Sequence, residues 1–301
     1  MKIAVTGATG FLGCHVCKNL RDLGHQTIEF NSKNLDIRNS VELPQADVLV
    51  HIAANPKVYL ARKEVFEDFK INALGTLHVL EAMRNAGIGK IVYISSSRVY
   101  RCQANSREED PVGASSNGGP YGASKLVGEL YVQQYSDCYE MKYVILRLSS
   151  LYGPLMYKNA IIDMIKGFMS NETIKLYHHI DSQIDFIYVK DAAEGISRSL
   201  EWENQILNLS AGIGTKLTHV YGALKTIFAK EVPLEYSDEL ICITPSNERI
   251  KKLGWEPKYS IDKGLRETVE FFLTASREAC CGQEASSVTY SRKRENPGGS
   301  S

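Results

Sequence analysis

Tyr121 and Lys125 lie four residues apart, so a helix that begins near Pro120 carries both side chains on one face. A tyrosine at its reference pKa of about 10 is a weak base at neutral pH, and a neighbouring ammonium favours the phenolate. Standing alone, the pair is also an ordinary pattern of a surface helix. It gains meaning from its company: Ser95, Ser96 and Ser97 end an apolar run one strand and helix upstream, and Gly7, Gly10 and Gly13 follow the first apolar run of the chain.

The glycines come after residues 2–6 and before Leu12, Val16, Leu20 and Leu23, which recur at helical spacing and stop at Gly24. Strand, glycine turn and helix in that order let the backbone approach a pyrophosphate closely and bring a helix N-terminus to its charge. The spacing is G-x-x-G-x-x-G rather than the commoner G-x-G-x-x-G. At the end of the second strand, an acidic side chain would accept hydrogen bonds from the adenosine ribose and repel a 2′-phosphate. The residue there is the neutral Asn31, with Lys33 two positions on. NAD and NADP therefore both stay open.

Positioning these residues takes alternating strands and helices. Apolar runs at 27–30, 48–52, 91–94 and 143–146 alternate with helical patterns at about 65–86 and 124–135. This predicts an α/β protein built on a doubly wound parallel sheet. The dinucleotide-binding domain is expected to take residues 1–154 together with 185–209, the latter returning to the main sheet. A smaller, mostly helical C-terminal substrate lobe takes 155–184 and 210–273. From Thr274 the apolar pattern lapses, and residues 274–301 are expected to form a disordered tail.

Composition excludes other classes. Thirty-five basic and 35 acidic side chains leave no net charge to drive counterion release, so nucleic acid is not an expected partner. No apolar stretch approaches the roughly 20 residues of a membrane helix, and the apolar start runs straight into the glycine turn, so no membrane span or signal peptide is read and a cytoplasmic location is expected. Cysteines at 14, 17, 102, 138, 242, 280 and 281 show no paired ligand spacing, and the adjacent His178 and His179 lack a second ligand pair. No metal site is expected, and the thiols are read as reduced.

Several stretches within about residues 1–273 jointly resemble one family. They include Thr6-Gly7-Ala8-Thr9-Gly10-Phe11-Leu12-Gly13, Asn72-Ala73-Leu74-Gly75-Thr76, Ser95-Ser96-Ser97-Arg98-Val99-Tyr100, Tyr121-Gly122-Ala123-Ser124-Lys125 and Asp185-Phe186-Ile187-Tyr188-Val189. The family is the extended short-chain dehydrogenases/reductases, which contains nucleotide-sugar epimerases, dehydratases and reductases. The resemblance implies a Rossmann domain, with Tyr121 as the acid/base and Lys125 holding the nicotinamide ribose and tuning Tyr121. It also implies a serine bonded to the reacting oxygen; counting back four from Tyr100 picks Ser96, with Ser97 second. For the cofactor it implies Phe11 and Leu12 beside the glycines, Asp36 and Ile37 at the adenine, Ala53 and Ala54 along the dinucleotide, and Asn72.

Departures narrow the substrate. Ser97-Arg98 stands where dehydratases of the family carry Asp-Glu, which disfavours dehydration. Ile184 stands where epimerases often carry a diphosphate-binding arginine, and no arginine occurs between Arg198 and Arg249. Lysines 158, 166, 175, 216 and 225 are candidates to replace that charge. The reading is an NAD- or NADP-dependent sugar-nucleotide epimerase or reductase acting by hydride transfer at an alcohol or ketone carbon, with a homodimer allowed. The alternatives are a reductase of a non-nucleotide carbonyl compound and a non-catalytic dinucleotide-binding regulator.

Overall fold

The computed structural model describes residues 1–55, 61–101, 104–113, 115 and 118–280. Its first part alternates strand and helix: β1 (Lys2–Thr6), α1 (Phe11–Asp22), β2 (Gln26–Phe30), β3 (Val48–His51), α2 (Val65–Phe69), α3 (Gly75–Ala86), β4 (Lys90–Ser96), α4 (Gly119–Tyr139) and β5 (Lys142–Leu148). A π turn, Lys70–Leu74, joins α2 to α3, so the helix expected over 65–86 is continuous. The second part holds β6 (Ser150–Tyr152), α5 (Ala160–Ser170), β7 (Ile174–Leu176), β8 (Gln183–Tyr188), α6 (Val189–Arg198), β9 (Gln205–Leu209) and β10 (Gly214–Lys216). It continues with α7 (Leu217–Phe228), β11 (Leu234–Tyr236), β12 (Cys242–Ile243), α8 (Glu248–Lys252) and α9 (Ile261–Cys280).

The main sheet has the order β2-β1-β3-β4-β5-β9, with every pairing parallel. Its inner strands β1, β3, β4 and β5 are buried along most of their length because helices cover both faces, while the edge strand β2 is only partly covered. Leu12, Val16 and Leu20 of α1 and Ala192 and Ile196 of α6 pack on one side, and Val79, Leu80 and Met83 of α3 with Val132 and Tyr135 of α4 pack on the other. The chain leaves β1 for β2 in one direction and for β3 in the other. The crevice at the C-terminal ends of β1 and β3 is thus the switch point, where such sheets receive ligands.

Two expectations change. The segment from Asp185 was expected to rejoin the main sheet, yet β8 pairs with β6, β10 and β12 in a separate four-stranded sheet, and β9 alone of the later strands enters the main one. The alternation explains it: Ile184, Phe186 and Tyr188 pack with α5 and α7 in the second core, while Ile187 on the opposite face joins the first. The lobe's helices accordingly sit on small sheets of their own, the second being β11-β7. In addition, α9 runs on to Cys280, beyond the expected tail boundary, in a stretch rich in helix formers. Residues 281–301 of the expected tail, and Cys102 and Cys281, lie outside the described residues. Cys14, Cys17, Cys138 and Cys242 are free thiols.

Candidate active site

The glycine turn is shaped by backbone crowding. Gly7 has φ +69°, and a Cβ there would sit 2.8 Å from the Ala53 nitrogen, so the ends of β1 and β3 touch through it. A Cβ on Gly13 would lie 2.1 Å from the Gly7 carbonyl oxygen, which makes Gly13 the least substitutable of the three. Gly10 differs: its φ is −76°, and a Cβ would meet only the Gly7 oxygen at 3.2 Å. The turn constrains Gly10 less than its neighbours: the Gly7 oxygen would have to give by a few tenths of an ångström, and a side chain there would also stand over the open end of α1. No side chain caps α1, and Phe11, Leu12 and Gly13 open its first turn, where N–H groups have no helical carbonyl to bond. That cradle fits the pyrophosphate of a dinucleotide.

A short loop follows β2. Asn31 follows β2, and its Oδ1 accepts the Lys33 N–H at 2.9 Å while Lys33 itself is exposed. The Asp36 carboxylate is held by Arg38 at 2.7 Å, which keeps it below the usual carboxylate range, and Arg38 also reaches Glu67 at 2.9 Å. Ile37 is buried against Gly75, and its carbonyl bonds to His78 at 2.9 Å. Ala53 and Ala54 continue from β3 and are half-buried, with the Ala53 N–H donating to Thr6 Oγ1 at 3.3 Å.

His51 links this turn to the helix beyond. It is fully buried between Thr6 Oγ1 at 2.7 Å and Thr76 Oγ1 at 3.1 Å, and burial, aided by the charge of Lys125, pushes it down to about 3. Because Thr76 donates its proton to the Asn72 carbonyl at 2.7 Å, the neutral ring carries its proton on Nε2 and accepts from Thr6 at Nδ1.

The tyrosine helix is held by side chains. Tyr121 stands on the first turn of α4 and is half-buried. A Cβ at Gly122 would lie 2.4 Å from the Arg98 carbonyl, and one at Gly128 would lie 2.1 Å from the Tyr93 hydroxyl, so these glycines let α4 press against β4 and the turn after it. In that turn the Ser96 oxygen accepts the Arg98 N–H at 3.2 Å, which leaves the Ser96 proton to donate elsewhere. Ser97 is buried at the same corner, and Ser95 donates into the core to Glu129.

Burial pushes Tyr121 up to about 12; the Arg98 charge opposes that rise and Asp68 adds to it. Burial likewise pulls Lys125 down to about 7, against the attraction of Glu129 and Asp68, and its Nζ lies 4.2 Å from the centre of the Tyr93 ring.

Behind Tyr121 lies a polar cluster that motif reading passed over. Asp68 of α2 accepts from Ser124 at 2.6 Å, Asn55 at 3.0 Å and Asn72 at 3.1 Å, and all four are buried. Both ends of the Asn72 amide are committed inside the protein: its Oδ1 accepts the Asn55 N–H at 2.8 Å and its Nδ2 also reaches Ser124 at 3.0 Å. Asn72 therefore braces the wall of the site. One helical turn below Lys125, Glu129 forms a buried ion pair with Arg147 at 2.8 Å. The four-residue spacings of Asp68 with Asn72 and of Lys125 with Glu129 were the available signals in the sequence.

Ile184 is buried in the second core and offers no cation. Lys158, Lys166 and Lys175 line one groove of about 270 Å³ with Tyr177, whereas Lys225 pairs with Glu231 at 2.7 Å and Lys216 is exposed where α7 begins. His178 Nδ1 lies 3.3 Å from Glu239 and the His179 N–H bonds to the Glu239 carbonyl at 2.7 Å, so the pair fastens the connection between β7 and β8. Among the described residues, no group of three His, Cys, Asp or Glu is placed to hold a metal, and no helix is long and apolar enough to cross a membrane.

Known proteins share this fold over nearly the whole chain. A UDP-glucose 4-epimerase of Thermus thermophilus, solved in complex with NAD, is 26% identical, with a TM-score of 0.83 over 91% of this chain and 100% of that one. A Thermotoga maritima UDP-glucose 4-epimerase solved with UDP-glucose is also 26% identical, with a TM-score of 0.81 over 92% and 100%. The dTDP-D-glucose 4,6-dehydratase of Mus musculus is 26% identical over 90% of this chain and 88% of its own. The model of the NAD dependent epimerase/dehydratase family matches residues 3–210, from the first strand through the glycine turn and tyrosine helix to β9. The chain belongs to that family.

Proposed function

We propose that the protein is a nucleotide-sugar epimerase that uses NAD and works by hydride transfer at a carbinol carbon. The observation that carries this reading is the place of Tyr121: it stands beside the C-terminal end of β4, on the sheet edge that also bears the uncapped glycine turn. NAD, when bound, supplies a reversible hydride acceptor. Tyr121 takes the proton of the reacting hydroxyl and returns it, while Ser96 donates its own proton to the same oxygen and holds it in place. Lys125, adjacent on the helix face, holds the ribose. The lobe formed by 155–184 and 210–273 covers the sugar nucleotide. A UDP-hexose is the expected substrate, since relatives of both lobes are UDP-glucose 4-epimerases. Dehydration is disfavoured because Ser97 and Arg98 supply no carboxylate pair.

The test is interconversion of UDP-glucose and UDP-galactose. Tyr121→Phe should lower turnover by ~10²–10⁴-fold and leave NAD affinity nearly intact, since only a hydroxyl is lost. Wild-type turnover in Tyr121→Phe would overturn the assignment and favour a dinucleotide-binding regulator. The buried Ile184 favours one second reading, reduction of a non-nucleotide carbonyl compound. An epimerase regenerates its dinucleotide each cycle and a reductase releases it, so dinucleotide retained through purification separates the two. A homodimer is also proposed; light scattering should give twice the 33.6 kDa of the chain.

A further inference from the structure

We infer that the aromatic face of Tyr93 is the seat of the Lys125 ammonium, which makes Tyr93 a positioning residue for the lysine that holds the nicotinamide ribose. The inference rests on that reading of Lys125. Tyr93 lies in the middle of β4 and Lys125 in the second turn of α4, and both are buried. The lysine Nζ stands 4.2 Å from the centre of the Tyr93 ring, well inside the roughly 6 Å over which a ring face attracts a cation. The same side chain also grips the helix backbone: its hydroxyl donates to the Lys125 carbonyl at 3.2 Å, and a Cβ on Gly128 would lie 2.1 Å from that hydroxyl. One tyrosine thus meets Lys125 twice, with its ring against the ammonium and its hydroxyl on the carbonyl.

A ring suits this place better than a carboxylate. Burial works against the ammonium, and the charged groups that favour it are committed elsewhere. Glu129, one turn on along α4, takes Arg147 at 2.8 Å and the Ser95 hydroxyl, while Asp68 of α2 takes Ser124 at 2.6 Å and the amides of Asn55 and Asn72. His51 of β3 is neutral, its ring 5.8 Å from that of Tyr93, and the Tyr121 phenol, one turn back on α4, is pushed up to about 12. Among the described residues no oxygen takes a hydrogen bond from the Lys125 ammonium, and the Tyr93 ring is its direct contact. An ion pair would stabilise the charge but occupy the N–H groups that ribose hydroxyls need. The quadrupole of a ring stabilises the charge and leaves most of the three N–H donors free. Tyr93 stays uncharged itself, since burial raises its phenol well above the usual range.

The test follows Lys125 by NMR in protein labelled with carbon-13 at lysine Cε, its signal assigned by loss in Lys125→Met. Tyr93→Phe keeps the ring and should keep both the upfield ring-current shift of the Cε protons and the titration midpoint. Tyr93→Leu removes the ring, and the midpoint should fall by about 0.5–1.5 units, because the charged form loses its support while the neutral form does not. At neutral pH, calorimetry should then show NAD bound about 3–30-fold more weakly and ADP, which lacks the nicotinamide ribose, bound as before. If Tyr93→Leu does not fold, a pentafluorinated ring on Tyr93→Phe keeps the shape, reverses the quadrupole and should lower the midpoint in the same way. An unmoved midpoint in a folded ringless or fluorinated variant overturns the inference. So does equal weakening of NAD and ADP, the mark of a mere spacer between strand and helix. A Tyr93→Phe midpoint that falls with that of Tyr93→Leu also overturns it, by assigning the effect to the hydroxyl. Undiminished NAD affinity in Lys125→Met is a different failure, that of the ribose reading, and leaves the ring shift and the midpoint where they are.

Discussion

The glycine turn and the tyrosine helix occupy one edge of one sheet, yet they are made in opposite ways. The turn is almost pure backbone: Gly7 against Ala53, Gly13 against the Gly7 carbonyl, and an open helix end. The tyrosine helix depends on ionisable side chains buried out of water, with Asp68 beneath Ser124 and with Glu129 and Arg147 beneath Lys125. The first can fail by a clash of a few tenths of an ångström. The second fails when one charge loses its partner. A cofactor site can therefore be fixed by sterics while its neighbour, which must hold protons in unusual places, is fixed by electrostatics.

The sharpest break in that comparison is at Glu129. It is fully buried and takes Arg147 through Nε at 3.1 Å and through a terminal nitrogen at 2.8 Å, so Glu129→Ala leaves a guanidinium uncompensated in the core. Loss of one member of such a pair costs about 3–5 kcal/mol, to be read by urea unfolding. Removing both, as Glu129→Leu with Arg147→Met, should recover much of that loss. If the single variant stays within about 1 kcal/mol of wild type, the pair behaves like a solvated one and the contrast collapses.

On the backbone side the last two glycines of the turn should part company. Gly13→Ala forces its Cβ into the Gly7 carbonyl and should destabilise the fold by about 1–3 kcal/mol as well as abolish NAD binding. Gly10→Ala keeps an ordinary φ and meets the Gly7 oxygen at 3.2 Å, a tight contact relieved by a shift of a few tenths of an ångström, so it should lose less stability than Gly13→Ala while calorimetry shows NAD affinity down at least about tenfold. Normal NAD binding by Gly10→Ala would mean that the pyrophosphate passes elsewhere.

The same contrast explains what could be read in advance. The strand, glycine turn and helix announce themselves within a dozen residues, and the Tyr121–Lys125 spacing is local. The brace between Asp68 and Ser124 spans 56 positions and leaves no local pattern. The apolar run at Asp185–Val189 declares a strand without declaring its sheet, because Ile184, Phe186 and Tyr188 alternate equally well toward either core; packing on α5 and α7 decides it. Gly10 shows the converse limit. Its spacing among the glycines suggests a steric demand equal to theirs, and the turn makes a smaller one, a single contact of 3.2 Å with the Gly7 oxygen.

The smallest effect is expected in the loop after β2, the proposed outer end of the cofactor site, where sterics and burial are both weak and Lys33 is the proposed reader of a 2′-phosphate. Lys33 projects from the loop after β2, and its N–H is tied to Asn31 Oδ1 at 2.9 Å. An exposed ion pair contributes about 0.2–1 kcal/mol, so Lys33→Ala should weaken NADP by no more than about fivefold and leave NAD nearly unchanged. Asn31→Asp keeps the acceptor that Lys33 needs and adds only a negative charge, so the loop should hold its shape while preference tilts toward NAD. Added salt should shrink the Lys33 effect, because a solvated pair is screened over a Debye length of about 10 Å at 0.1 M. Equal loss of NAD and NADP in Lys33→Ala would show that the lysine shapes the loop instead of reading the 2′-phosphate, and coenzyme choice would then rest on Asn31 and the backbone around it.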